Sequence, residues 1–248
     1  MSLPPILSTF DHPLSLSEYI NQPLTIGERE LFFAADHDHV ECLLDQEVVG
    51  RFHRRLTHFH LKPALLDRPL FLALKTPVTL SPGERRSFLL DRPISLELNL
   101  SHTGNAEHFR LLTFPCVLLK RTSYGTVDQA MVCYYWESQE CEEARSPYFA
   151  LVPVEVVNQA TSTVQLKKLV IYKNYMKLYA TSRQLCTSAI KVKLSNRREG
   201  FISYQSAPPD LLSGEDFTTI EPEPDSRFHL INSFRNFKRR GTGIEHGF

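Results

Sequence analysis

Apolar and polar residues alternate with period two through most of this 248-residue chain, and Pro, Gly, Asn or Asp breaks the pattern at short intervals. Leu70, Leu72 and Leu74 alternate with Phe71, Ala73 and Lys75. Ile94, Leu96, Leu98 and Leu100 alternate with Ser95, Glu97 and Asn99, and Ile190, Val192 and Leu194 with Lys191, Lys193 and Ser195. Such strands bury one face and wet the other, which predicts antiparallel sheets. A doubly wound α/β fold needs helical stretches of about 10–15 residues between strands. None is visible, so the expected class is all-β. Ser15 and Glu18 have capping-box spacing, which predicts a turn or two of helix over residues 16–21.

Sixteen Phe, nine Tyr and 42% hydrophobic residues supply enough apolar surface for a folded core, and exclude a disordered chain. No apolar run approaches the roughly 18 residues of a membrane helix. The start, MSLPPILSTFDHP, has no basic segment leading into an apolar one, so no secretory signal is expected. Cys42, Cys116, Cys133, Cys141 and Cys186 form no close pairs, which suits reduced thiols in a cytoplasm.

One repeat stands out. Leu65-Leu66-Asp67-Arg68-Pro69-Leu70 recurs as Leu89-Leu90-Asp91-Arg92-Pro93-Ile94, each copy ahead of an alternating strand. Proline at the start of a strand loses no ladder hydrogen bond, and Asp-Arg before it suits a turn. Ser81-Pro82-Gly83-Glu84, between the copies, reads as a tight turn. A polar link near Glu140–Pro147 precedes about five strands at sandwich spacing: Phe149–Val157, Thr163–Tyr172, Lys177–Ala180, Ala189–Ser195 and Phe201–Gln205. The expected organisation is an N-terminal segment (1–22), a first β domain (23–145), a second, basic β domain (146–206), an acidic Pro-rich connector (207–225) and a basic amphipathic tail (226–248).

The formal charge of zero conceals segregation. Residues 1–157 carry a balance of −6, residues 158–198 carry +9 without a single acid, residues 199–225 carry −7, and the last 23 carry +4. Lys167, Lys168, Lys173 and Lys177 interleave with Tyr172, Tyr175 and Tyr179; Lys191 and Lys193 follow on the wet face of a strand. These six lysines are the candidate face for an anionic partner. The competing reading is internal neutralisation by the adjoining acidic connector.

Histidines cluster at His37 and His39, followed by Glu41, and at His58 and His60. Positions i and i+2 of a strand share a face, so two such strands side by side would offer ligands to a divalent transition metal, Zn²⁺, Fe²⁺ or Mn²⁺. Cupin barrels use a similar His-x-His pair, but here Glu41 follows too soon and no second motif appears. The competing reading makes Asp36–Asp38 a polar hairpin tip with solvated histidines. No nucleophile elbow, phosphate loop, GxGxxG, HExxH or CxxC occurs.

In the tail, Leu230, Ile231, Phe234 and Phe237 would share one stripe of a helix ending in Lys238-Arg239-Arg240. It would dock on the protein's own β domain or in a partner's groove.

Ser123-Tyr124-Gly125, Val132-Cys133-Tyr134 and Leu151-Val152-Pro153-Val154-Glu155-Val156-Val157-Asn158 resemble a mainly archaeal family, the domain of unknown function 432. Leu178-Tyr179, Ala189-Ile190-Lys191-Val192 and Asn232-Ser233-Phe234-Arg235-Asn236-Phe237-Lys238 extend the likeness over about residues 60–240. The chain departs from the family at Ala130, where members carry glycine. The resemblance implies a β-rich fold and no assigned activity, cofactor or catalytic residue. It draws attention to Tyr124, Gly125, Cys133 and Tyr134.

The sequence therefore predicts two antiparallel β-sandwich-like domains closed by a short C-terminal amphipathic helix. The functional expectation is a non-enzymatic cytoplasmic binding or adaptor protein with an anionic macromolecule or protein as partner. The alternative is a metal-binding protein or metal-dependent enzyme using His37, His39, Glu41, His58 and His60.

Overall fold

The computed structural model describes residues 13–102, 108–125, 130–181, 183–196, 200–214, 216–220 and 231–232. Among these the regular structure is strand, with three single turns of 3-10 helix at Leu16–Glu18, Lys173–Tyr175 and Asp210–Leu212. The helix expected over 16–21 shrinks to the first of these turns. Ser15 gives it no side-chain cap and bonds Ser17 instead, and Ile20 already bridges to Phe33. No described helix is long and apolar enough to cross a membrane.

The chain separates into two units, Met1–Leu65 with Pro93–Leu118, and Leu66–Arg92 with Leu119–Phe248. It thus passes from one unit to the other three times. The first two passages, Leu65 to Leu66 and Arg92 to Pro93, fall inside the two copies of the Leu-Leu-Asp-Arg-Pro repeat.

Unit 1 holds two four-stranded sheets. One runs β2 (Leu24–Ile26), β3 (Arg29–Ala35), β4 (His39–Leu44) and β5 (Glu47–His53). The other has the order β1-β6-β9-β10, with β1 (Leu14–Ser15), β6 (His58–Ala64), β9 (Ser95–Ser101) and β10 (His108–Pro115). Their strands pair antiparallel throughout, as alternation predicts. Phe33 of the first sheet meets Phe59 of the second at 5.1 Å, and Tyr19 sets its edge on Phe59 at 5.3 Å. Gly27 turns with φ +62°, and a Cβ there would fall on the Cys116 carbonyl oxygen, so both conformation and space demand glycine.

Unit 2 is built on β7 (Leu70–Leu80), β8 (Arg85–Pro93), β11 (Lys120–Tyr124), β12 (Met131–Ser138), β13 (Phe149–Asn158) and β14 (Val164–Ile171). It continues with β15 (Leu178–Ala180), β16 (Leu185–Thr187), β17 (Ile190–Leu194), β18 (Gly200–Tyr204), β19 (Thr218–Thr219) and β20 (Ile231–Asn232). One sheet has the order β11-β12-β7-β14; the other runs β19-β15-β16-β13-β17-β18-β20, with β8 also on β13. Unlike unit 1 it is mixed: β7 and β12 pair parallel, as do β13 with β16 and β17. Parallel neighbours need a long crossover. Residues 81–130, which include the excursion through unit 1, supply it for β7 and β12.

The turn between β7 and β8 is the one expected at Ser81–Glu84. Gly83 takes φ +74°, the Glu84 amide donates to Ser81, and the Ser81 amide donates to the Glu84 carboxylate at 2.7 Å. The expected C-terminal helix is not there. Ile231 and Asn232 are extended and pair with Ile202 and Phe201 of β18. A short apolar run fits either period, and the open edge of β18 offers backbone partners that a helix would forgo. The remainder of the tail, and connector residues 221–225, lie outside the described residues.

Candidate anion-binding surface

In the sheet β11-β12-β7-β14, Leu70, Leu72, Leu169 and Ile171 are fully buried on one face. Alternation turns the intervening residues to the other face. Register then aligns Lys120 of β11, Tyr135 of β12, Phe71 of β7 and Val170 of β14 in one row. Tyr135 and Phe71 stack at 5.9 Å and 22°, and Tyr124 adds a third ring 6.1 Å from Phe71. Lys168, two residues before Val170, places its Nζ 5.4 Å from the Phe71 centroid. A cation over a ring at a partly exposed site contributes about 0.5–1 kcal/mol, too little to remove the ammonium from solvent chemistry. Rings stacked across neighbouring strands present their edges outward, and the ring edge is the positive side of the quadrupole. Lys120, Tyr135 and Phe71 thus line up as cation, ring and ring, and Lys168, registered with Ala73 on the same face, brings a second cation over the Phe71 ring. Glu137, which accepts the Tyr135 hydroxyl at 3.1 Å, is the acid on the same face.

Three more tyrosines continue the series. Tyr172 and Tyr175 meet at 6.4 Å, Tyr175 and Tyr204 at 5.5 Å, and the Tyr172 amide donates to the Tyr204 hydroxyl at 3.0 Å. Burial pushes the Tyr172 phenol up to about 12, with Tyr124, Cys133 and Tyr175 adding to it, and burial likewise raises Tyr204. These phenols stay neutral at physiological pH, so they add no negative charge beside the lysines.

The six sequence-selected lysines do not share one sheet. Lys167 is exposed at a bulge of β14 beside Lys168, and Lys173 is exposed in the 3-10 turn that follows. Lys177 is half-buried, its amide donating to Ser188. Lys191 and Lys193 stand on β17, in the other sheet. Lys191 is committed to its cross-strand neighbour Glu155 at 3.0 Å, which also takes Arg85 at 3.0 Å. Tyr179 is not on the surface; it is buried against Leu151, Cys186 and Leu212.

The sequence profile of a protein family of unknown function (DUF432) matches residues 16–237. The chain belongs to this family. No curated protein and no solved structure matches it.

The motif residues of this DUF432 chain divide between core and surface. Tyr124 belongs to the aromatic row. Cys133 is fully buried, its thiol pushed up to about 11 by burial, which marks packing and not a nucleophile. Asn158, the last residue of the motif on β13, is buried, and nothing in the sequence signals its role. Its amide nitrogen lies 2.9–3.0 Å from the carbonyls of Leu80, Ser81 and Ser162, and its oxygen accepts from Ala160. It staples the β7–β8 turn to β13. Phe71 and Tyr135 were also missed, because alternation alone makes them ordinary strand residues.

The histidines do not form a metal site. His37 lies in the tip between β3 and β4, where its amide donates to Asp36 Oδ1 at 2.7 Å. His39 faces His53 across the β4–β5 ladder with rings 5.9 Å apart, and Glu41 is held by the Arg51 guanidinium. His58 and His60 stand on β6 of the second sheet, opposite Ser101 and Asn99, with His58 Nδ1 2.9 Å from Thr57 Oγ1. Among the described residues no group of three or more His, Cys, Asp or Glu is placed to hold a metal ion. The expected metal centre and divalent metal cofactor are overturned: shared parity within each strand did not bring the two strands into one sheet, and Arg51 occupies the carboxylate.

Proposed function

We propose that this protein is a soluble, non-enzymatic binding module of the cytoplasm, built of two sandwich-like units, that presents the lysine and aromatic face of unit 2 to an anionic partner. The observation that carries this reading is the row Lys120, Tyr135 and Phe71, with Lys168 over the Phe71 ring and Lys167 beside it. Five free cysteines support a reducing compartment, and the Phe33–Phe59 contact between sheets supports the sandwich.

The test uses a fluorescein-labelled single-stranded oligonucleotide of about 20 nucleotides, and labelled heparin as a second polyanion, on the full chain. Affinity is expected to fall steeply with salt, by about 0.7 in log–log slope for each phosphate contacted. Neutralising Lys120, Lys167 and Lys168 together to Ala should reduce that slope by about 2. Absence of binding to both probes, or binding unchanged in the triple variant, would sink the proposal.

A further inference from the structure

A second site lies in unit 2, away from the aromatic row. Between the loop that leaves β12 and the turn joining β15 to β16 is a cavity of about 430 Å³, within the size range of small-ligand pockets. The loop contributes Glu142, Glu143 and Ser146 to its lining, the turn contributes Arg183 and Gln184, and Phe149 and Leu185, both buried, provide apolar wall.

Both walls are fixed by contacts that use other residues. In the loop, Arg86 holds Glu140 at 2.6 Å, the Cys141 amide donates to Leu89, and Arg145 reaches the buried Asp91 at 2.5 Å. Arg145 also lies over Trp136 and Phe149, at 5.1 and 5.3 Å from their centroids. In the turn, the Thr181 hydroxyl oxygen accepts the amides of Arg183 and Gln184, both at 3.2 Å, and the Thr181 amide donates to the Gln184 carbonyl. The loop's other charges, Glu140 and Arg145, are thus consumed by the fold. Glu142, Glu143 and Arg183 form no ion pair among the described residues, and all three line the same cavity.

Two carboxylates and a guanidinium lining one cavity with an apolar wall complement a small zwitterion. We propose that the cavity binds a free α-amino acid. Its ammonium goes to Glu142 and Glu143, its carboxylate to the planar donor fork of Arg183, and its side chain to Phe149 and Leu185.

The experiment is a thermal-shift screen of the full chain against the twenty common L-amino acids, followed by calorimetric titration of those that raise the melting temperature. At least one is expected to bind. Arg183→Met and the double variant Glu142→Gln, Glu143→Gln should each weaken it about tenfold or more, since each removes a charge-assisted contact. The decarboxylated amine of the same amino acid should bind wild type and Arg183→Met alike, which ties Arg183 to the carboxylate. All three side chains lie at the surface, and unchanged melting of the ligand-free variants verifies their folding. No amino acid binding the wild type, or binding that survives both variants, overturns the assignment.

Discussion

The two copies of Leu-Leu-Asp-Arg-Pro are identical in sequence and opposite in environment. In the first, Asp67 and Arg68 are partly exposed, 57% and 40% by side chain, and lie 4.0 Å from each other ahead of β7. In the second, Asp91 and Arg92 are each 1% exposed, inside the last turns of pleat in β8. Asp91 accepts the Ser138 hydroxyl at 2.9 Å and pairs with Arg145; Arg92 points its Nη1 at the Met176 sulfur at 3.3 Å. What the copies share is position: each contains a passage of the chain between units. The leucine pair and the proline suit that passage in both. The charged dipeptide takes whatever surroundings the neighbouring strands provide, a turn in one case and a strand on β13 in the other.

The comparison is broken most directly at the arginines. Arg92→Ala removes a long, wholly buried side chain and leaves a void beside Met176, with an expected loss of about 3–4 kcal/mol. Arg68→Ala should stay within about 0.5 kcal/mol, the usual range for exposed positions. Urea unfolding of both variants measures the contrast, and equal midpoints would refute it.

The aspartates come next. Asp91→Ala removes the side-chain acceptor of the Ser138 hydroxyl, leaving it only the residue-91 carbonyl, and frees Arg145, for an expected loss of about 2–3 kcal/mol, held down because the Arg145 side chain is 40% exposed. Asp67→Ala should again be near neutral. A double-mutant cycle of Asp91→Ala with Arg145→Ala sharpens the point: coupling of at least about 0.5 kcal/mol is expected, and strict additivity would deny the pair. Loosening this latch should also mobilise the cavity loop. Smaller still, about 1–2 kcal/mol, is Asn158→Ala, which leaves the carbonyls around the turn midway between the copies without their donor.

These contrasts show what the chain's order of residues could and could not disclose. Alternation at Leu70–Leu74, Ile94–Leu100 and Ile190–Leu194 reports a half-buried strand wherever it pairs, so the all-β class was legible. Alternation carries no information on which strands become neighbours. His39 and His58 therefore looked like potential partners and fall in different sheets, while Lys168, Phe71 and Tyr135, scattered along the chain, meet on one face. The passages at Leu65 and Arg92 were hidden for the same reason, although the repeat that marks them was visible. Ile231 failed differently: a few apolar residues satisfy both the 3.6 and the 2.0 period, and the free edge of β18 decided between them.

The first copy has one measurable influence of its own, and it is the smallest expected effect. The Tyr134 phenol is raised above its ordinary value of 10.0 chiefly by burial, with the charge and hydrogen bond of Asp67 adding to the rise and Arg68 and Arg121 opposing it. Folding therefore favours the neutral phenol. Its contribution to stability is complete below pH 10 and declines as pH climbs through the raised folded-state value. Asp67→Asn withdraws the negative charge, so Tyr134 should ionise at lower pH than in the wild type. Ultraviolet titration of tyrosinate, with Tyr134→Phe as the reference that identifies the band, follows this directly. The matching substitution in the second copy, Asp91→Asn, should leave the Tyr134 titration where it was, since Asp91 is not among the groups acting on that phenol. A shift produced by the second copy and not the first would mean that the exposed dipeptide has no function beyond filling its turn.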